Sequence, residues 1–140
     1  STFLTWMAEN QAMVFIVATA NDITELPPEL MRKGRLDEVF FVDLPDAGVR
    51  EKIFRIHLDK RGMDHAEYDL ALLAEASEGF TGAEIEEAVV SARYQATSQG
   101  TEVFQEDLLA AVNRTYPISI TRADAVQSLR HWAQDRTVKA

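Results

Sequence analysis

The chain has 140 residues, 46% of them hydrophobic and 26% charged, a composition typical of an ordinary folded domain. It contains no cysteine, which excludes a disulfide framework and a thiolate metal site. The net charge of −9 argues against nucleic acid as the main partner, and no apolar stretch approaches the roughly 20 residues that cross a bilayer. We therefore expect a cytoplasmic protein with neither a nucleic acid nor a membrane partner.

The basic residues are unevenly distributed along the chain. The first 31 residues contain no Lys or Arg, whereas eight of the fourteen basic residues fall between Arg32 and Arg61. A basic cluster in an acidic chain suits a phosphate-bearing partner, but solvated helix charges are an alternative explanation. Charge alone leaves both interpretations open.

The first third of the chain predicts helices and two strands. A helix is predicted over residues 2–10, followed by an unbroken apolar run at residues 13–18. Such a run is typical of a strand buried on both faces of a parallel sheet. Asn21 follows it, at the place where a parallel sheet presents its ligand crevice. A short helix over residues 29–33 and a second strand over residues 39–42 complete this part.

Beyond Pro45 the sequence predicts only helices. Asp46 is a candidate N-cap for a helix to about residue 61, with an apolar stripe of Val49, Ile53 and Ile56. Two further helices are expected over residues 69–76 and 105–115.

The clearest helix start is the capping box formed by Thr81 and Glu84. The spacing of the apolar residues after it predicts a buried face of Ile85, Ala88, Val89 and Ala92. A last helix is predicted to open with the Thr121-x-x-Asp124 pattern and to carry Ala125, Leu129 and Trp132.

Asn21 and the stretch Pro-Glu-Leu-Met-Arg-Lys-Gly-Arg-Leu-Asp, residues 28–37, resemble the second region of homology of AAA ATPases. In that family the Asn is sensor 1, and the two arginines, here Arg32 and Arg35, are arginine fingers. These fingers reach the γ-phosphate held by a neighbouring subunit, so the resemblance implies a ring, usually a hexamer. The residues alone leave alternatives open. Asn21 could cap its own loop, and Arg35 could pair with a nearby Asp.

Two later motifs, Arg-Glu-Lys-Ile-Phe-Arg-Ile-His at residues 50–57 and Gly-Phe-Thr-Gly-Ala-Glu-Ile at residues 79–85, resemble the helical lid of the same family. By this resemblance His57 packs near the adenine, with Ile53 one turn earlier. Gly82 and Ala83 then approach the nucleotide closely, because they are small. A surface histidine on an amphipathic helix is the alternative for His57.

Two expected parts of an ATPase are missing from the sequence. No G-x-x-x-x-G-K-[ST] phosphate loop occurs. The run from Val39 to Asp43 has the shape of a Walker B strand but lacks the following Glu, and the helix carboxylates show no metal-ligand spacing. We therefore predict no metal site, no tight ATP or ADP binding and no ATPase activity for this chain alone.

The resemblance gives a fold class of α/β followed by α. Residues 1–45 would hold the C-terminal strands of a P-loop-type parallel sheet, and residues 46–140 an all-α lid. The complete protein would use Mg²⁺ with ATP or ADP and couple hydrolysis to the remodelling of a macromolecule. The alternative is a non-catalytic helical module used for interaction or assembly. The protein substrate is not encoded in these residues.

Overall fold

The computed structural model describes residues 5–6, 9–10, 12–20, 22, 25–30 and 36–139. The chain divides into two compact units. One, here called the helical unit, is Asp43–Ser128; the other, here called the strand unit, combines Ser1–Val42 with Leu129–Ala140. The predicted domains, residues 1–45 and 46–140, stay a prediction, because a compact unit is not by itself an independently folding domain.

Helices dominate the described residues, as the sequence beyond Pro45 predicts. In chain order the elements are β1 (Phe40–Phe41), α1 (Ala47–Asp59), a 3₁₀ turn (His65–Glu67), α2 (Leu70–Ala76), α3 (Gly82–Gln99), α4 (Gln105–Arg114), α5 (Ile118–Thr121), α6 (Ala123–Ala133) and β2 (Val138–Lys139).

The helical unit is built around one apolar core to which α1, α2, α3 and α4 contribute. On three of these helices the buried residues are four positions apart, which places them above one another on one face. Burying such a side chain stabilises the fold by about 1.5–3 kcal/mol relative to leaving it exposed. The largest fully buried apolar members are Phe54, Leu58, Leu73, Ile85, Val89, Leu108 and Val112.

Short-range signals predict the helix starts well. Asp46 caps α1 by accepting a hydrogen bond from the backbone N–H of Val49 at 2.8 Å. Asp69 caps α2 in the same way, accepting from Leu72 N at 3.0 Å. Each cap satisfies one of the backbone donors that the first helical turn leaves free.

The predicted apolar face of α1 is wrong by a rotation about the helix axis. Its buried residues are Arg50, Phe54 and Leu58 rather than the stripe that begins at Val49. Val49 is 42% exposed and Ile56 59% exposed, while Ile53 packs partly against the core. The helix therefore has apolar residues on two sides. Their sequence spacing cannot say which side meets the core.

Arg50 explains part of this rotation, because it is a charged residue that the core accepts. Its side chain is 7% exposed. Its Nε donates to the carbonyl oxygen of Ala74 at 3.0 Å, and its Nη1 donates to that of Pro45 at 2.7 Å. Ala74 lies in the last turn of α2, where carbonyls carry partial negative charge and favour a cation. Arg50 thus links the first turn of α1 to the last turn of α2 and to the segment before α1.

The predicted strand at residues 13–18 is not formed among the residues that the structure describes. Residues 13–20 have no regular secondary structure, and Met13, Phe15 and Val17 are each more than 70% exposed. A strand is stable only when its backbone groups pair with a neighbour. No described segment pairs with residues 13–18, so their apolar pattern alone does not produce a strand.

Among its described residues, the strand unit contains a short parallel ladder. β1 pairs with β2, with Phe40 opposite Val138, and Val138 N donates to Val39 O at 2.9 Å. β1 is shorter than the predicted strand at residues 39–42, and β2 was not predicted. This pairing of two residues on each strand does not by itself show the predicted parallel sheet of a P-loop core.

Other predicted ends differ in detail. Thr5, Trp6 and Glu9 are helical, within the helix predicted over residues 2–10. The helix expected over residues 29–33 begins as a turn, in which Leu30 N donates to Pro27 O at 2.9 Å, and residues 31–33 lie outside the described ones.

Thr121 does not open the last helix. It ends α5, and its Oγ1 donates back to Pro117 O at 3.4 Å. The pattern Thr-x-x-Asp therefore misplaces a helix start, because the preceding residues already form a turn of helix. In α6 Ala125 is exposed, whereas Leu129 and Trp132 are half-buried.

Candidate functional site

The helical unit brings together the two segments that carry the predicted lid residues. A Cβ placed on Gly82 would lie 3.7 Å from Cδ1 of Ile53, an ordinary van der Waals distance. The start of α3 therefore lies against α1 one turn before His57. Gly82 is half-buried and Ala83 is exposed. The first turn of α3 thus begins with two small residues, one against α1 and one exposed.

A capping box builds this first turn of α3, as predicted. Thr81 Oγ1 accepts from Glu84 N at 3.3 Å. The carboxylate of Glu84 returns the contact, accepting from Thr81 N at 2.7 Å and from Thr81 Oγ1 at 2.9 Å. Its other oxygen accepts from Ile118 N at 2.7 Å. One carboxylate therefore fixes both the start of α3 and the start of α5.

Gly79 sets the path of the chain into this turn. Its φ is +78°, in the region that favours glycine. A Cβ at this position would overlap with Oγ of Ser119 in α5. The glycine is thus required both for its backbone conformation and for the close approach of α5.

We expect Gly79→Ala to lower the free energy of unfolding by about 2–4 kcal/mol, since it combines left-handed strain with a steric overlap. Gly100→Ala is the matched control. Gly100 has φ +69° but no atom within 4 Å of its added Cβ, so we expect only about 1–2 kcal/mol there. Urea unfolding of the 140-residue chain measures both losses. Equal losses would mean that Ser119 moves aside without cost.

His57 lies in a small polar cluster with Arg61 and Glu86, where α1 packs against α3. Its Nδ1 is 3.1 Å from Nη1 of Arg61 and 3.5 Å from Oε1 of Glu86. Arg61 Nη2 donates to the same Glu86 oxygen at 2.7 Å, and this hydrogen bond lowers the pKa of the Glu86 carboxyl below its usual value. The cluster ties the end of α1 to the second turn of α3.

Sequence reasoning missed Arg61 and Glu86. The available signal was the position of Arg61, four residues after His57 and within the helix predicted to about residue 61, because such pairs share one face of a helix. Glu86 is 25 positions further along, and only the packing of α3 on α1 brings it near. No periodicity could have identified that contact.

A second group of polar residues lies in the turn after α1. Asp59, Asp64 and His65 each have one side-chain atom that could bind a metal ion, a carboxylate oxygen or a ring nitrogen. These three atoms lie within 4.8 Å of one another. Each acid has a local role: Asp59 Oδ1 is 2.7 Å from His65 Nδ1, and Asp64 Oδ1 accepts from Ala66 N at 3.0 Å. The hydrogen bond to His65 lowers the pKa of the Asp59 carboxyl. These contacts explain why the three side chains lie close together: they stabilise the turn after α1.

The sensor and finger candidates lie outside the described residues. They are Asn21, Arg32 and Arg35. Their roles therefore rest on the sequence resemblance. Within the described part of the chain, none of the helices has the length and apolar character needed to span a membrane.

Two family models match the chain and define its class. The AAA model (ATPase family associated with various cellular activities) matches residues 1–44, and the AAA+ lid domain model matches residues 67–125. The chain therefore belongs to the AAA family, and it combines the end of the ATPase domain model with a lid.

Within that family it is similar to the "Uncharacterized AAA domain-containing protein ycf46" of Pyropia yezoensis and of Guillardia theta, each 45% identical. The matches cover 96% and 94% of this chain but 27% and 26% of the relatives. The "Proteasome-activating nucleotidase" of Saccharolobus solfataricus is 40% identical over 72% of this chain and 26% of its own length. The chain thus spans about a quarter of the length of these relatives.

Proposed function

We propose that this chain supplies the nucleotide-sensing, finger and lid parts of an AAA ATPase that works as a ring, most simply a hexamer. In the complete protein, the lid would contribute to the binding of Mg²⁺ with ATP or ADP. Residues 13–18 would belong to the parallel sheet of the P-loop core. Membership of the AAA family supports ATP as the nucleotide. The name of the Saccharolobus relative supports coupling of hydrolysis to work on another protein.

The observation that carries the proposal is the pair of small residues in the first turn of α3, beside α1. Ile53 contacts the position of Gly82, and Ala83 offers an exposed surface with only a methyl group. His57, one turn after Ile53, adds an aromatic ring with hydrogen-bonding nitrogens. Small residues, an aliphatic side chain and an imidazole together suit a flat purine base.

The described lid residues would bind and cover the nucleotide rather than perform the chemistry. ATP hydrolysis needs an oriented water and charge stabilisation on the transferring phosphate. We assign Asn21 to one or both of these tasks, because its amide both donates and accepts hydrogen bonds. Arg32 and Arg35 would act across the subunit boundary, because a guanidinium is always charged and donates in pairs. Without a phosphate loop this chain alone would not hydrolyse ATP.

We expect Ala83→Trp to weaken ADP binding by the complete protein about tenfold or more, because the indole fills the space the nucleotide needs. Ser91→Trp is the matched control, since Ser91 is also exposed but lies about two turns further along α3. Isothermal titration with ADP compares the affinities, and urea unfolding checks that both variants fold equally well. Unchanged ADP affinity in Ala83→Trp would favour a non-catalytic assembly module instead.

A further inference from the structure

We infer that Arg61, held by Glu86, is a positioning residue for His57. It fixes the imidazole in the tautomer that carries its proton on Nε2, and it leaves this N–H as a hydrogen-bond donor to a ring nitrogen of a purine base. The tautomer follows from the contact between Arg61 and Nδ1 of His57, which is shorter than the 3.5 Å that separates Nδ1 from Glu86. Its use on a nucleotide base rests on the function proposed above.

The first step concerns which atom carries the proton. A guanidinium has five N–H donors and no acceptor. Arg61 Nη1 lies 3.1 Å from Nδ1 of His57, so a hydrogen bond between them requires Nδ1 to be the acceptor. In neutral imidazole one nitrogen accepts and the other donates, which puts the proton on Nε2.

The second step is that Arg61 is itself held in place. Its Nη1 also donates to the carbonyl oxygen of His57 at 3.1 Å, and its Nη2 donates to Glu86 at 2.7 Å. Its side chain is 15% exposed. A guanidinium with contacts on both α1 and α3 has little freedom to turn away from the imidazole.

The third step is that Nε2 remains available. Nδ1 and Nε2 lie on different edges of the ring, so the contacts with Arg61 and Glu86 leave Nε2 uncovered. Among the described residues no hydrogen bond to Nε2 occurs, and no buried side-chain nitrogen or oxygen lacks a partner. Nε2 is therefore not sealed inside the unit, and 17% of the His57 side chain is exposed.

The chain contains its own comparison in His65. Its Nδ1 lies 2.7 Å from Oδ1 of Asp59. A carboxylate only accepts hydrogen bonds, so the Nδ1 of His65 must carry a proton. The two histidines are thus expected to differ at the same ring atom within one protein.

Nitrogen-15 NMR of the histidine side chains tests the tautomer in the 140-residue chain. We expect His57 Nδ1 to give the signal of an unprotonated ring nitrogen, whereas His65 Nδ1 gives that of a protonated one. Arg61→Ala should convert His57 to a mixture of tautomers, and Arg61→Lys, which keeps a pure donor, should preserve the wild-type signal. Arg93→Ala, an exposed arginine on α3, is the control and should change nothing. A protonated Nδ1 in wild-type His57, or an unaltered signal in Arg61→Ala, overturns the positioning role.

A double-mutant cycle in the complete protein tests the use of the tautomer. We expect Arg61→Ala to weaken ADP binding by about three- to tenfold, the range for one hydrogen bond. In a His57→Ala background the same substitution should have almost no effect, because the residue it positions is absent. A tautomer change without any ADP effect would contradict the base contact alone, because Ala83→Trp tests the proposed nucleotide site separately. An additive ADP effect with an unchanged tautomer would contradict the positioning role alone.

Discussion

Arg32→Ala in the complete protein is expected to reduce ATP hydrolysis by about 10³-fold or more, the range known for arginine fingers in GTPases. The reason is electrostatic: in the proposed role, Arg32 would neutralise charge that develops on the transferring phosphate. ADP binding by the variant should change little, since the finger acts mainly in the transition state. Steady-state ATPase rates and ADP titration measure the two effects separately.

Mixing subunits shows whether the arginine acts between protomers. Arg32→Ala subunits keep their own phosphate loop but lack the finger. Subunits without a phosphate loop cannot hold ATP but still carry Arg32. If the finger acts in trans, mixed rings regain activity that neither variant has alone. Lys33→Ala, which removes the adjacent positive charge, is the control and should stay close to wild type. Absence of rescue in rings shown to be mixed would contradict the trans role.

Asn21→Ala is expected to lower kcat by about 10²- to 10³-fold, comparable to the loss of one donor that stabilises a developing anion. The affinity for ADP should remain within about threefold of wild type, because Asn21 is assigned to the attacking water and the γ-phosphate, which ADP lacks. Asn113→Ala is the matched control: it makes the same chemical change on an exposed position of α4. Single-turnover hydrolysis distinguishes the chemical step from nucleotide exchange.

An equal loss of ADP affinity and kcat in Asn21→Ala would point to a different role. Asn21 would then shape its loop, as the local sequence alone also allows. Comparing the effects on kcat and on ADP affinity therefore distinguishes a catalytic role of the Asn21 amide from a structural role in its loop.

Features that depend on neighbouring residues could be predicted from the sequence. The caps at Asp46 and Thr81 and the buried face of α3 are examples, and the structure confirms them. A helix cap involves only residues within one helical turn, so a motif of four consecutive residues is enough to predict it. The lid motifs carry the same kind of local information.

Features that depend on distant partners could not be predicted in this way. Residues 13–18 have a strand pattern, yet no described segment pairs with them. The buried face of α1 was misjudged because Arg50 finds two carbonyl oxygens in the interior, which its charge does not suggest. The contact between Arg61 and Glu86 likewise exists only because two helices pack together.

The carboxylate of Glu84 has a consequence for how the lid can move. It bonds Thr81 through one oxygen and Ile118 through the other, and the added Cβ of Gly79 would meet Ser119. Because a carboxylate rotates as a rigid plate, neither partner can depart without disturbing the other. Residues 79–85 and 117–121 are therefore coupled, so that any displacement of the first turn of α3 is transmitted to the chain leading to α6.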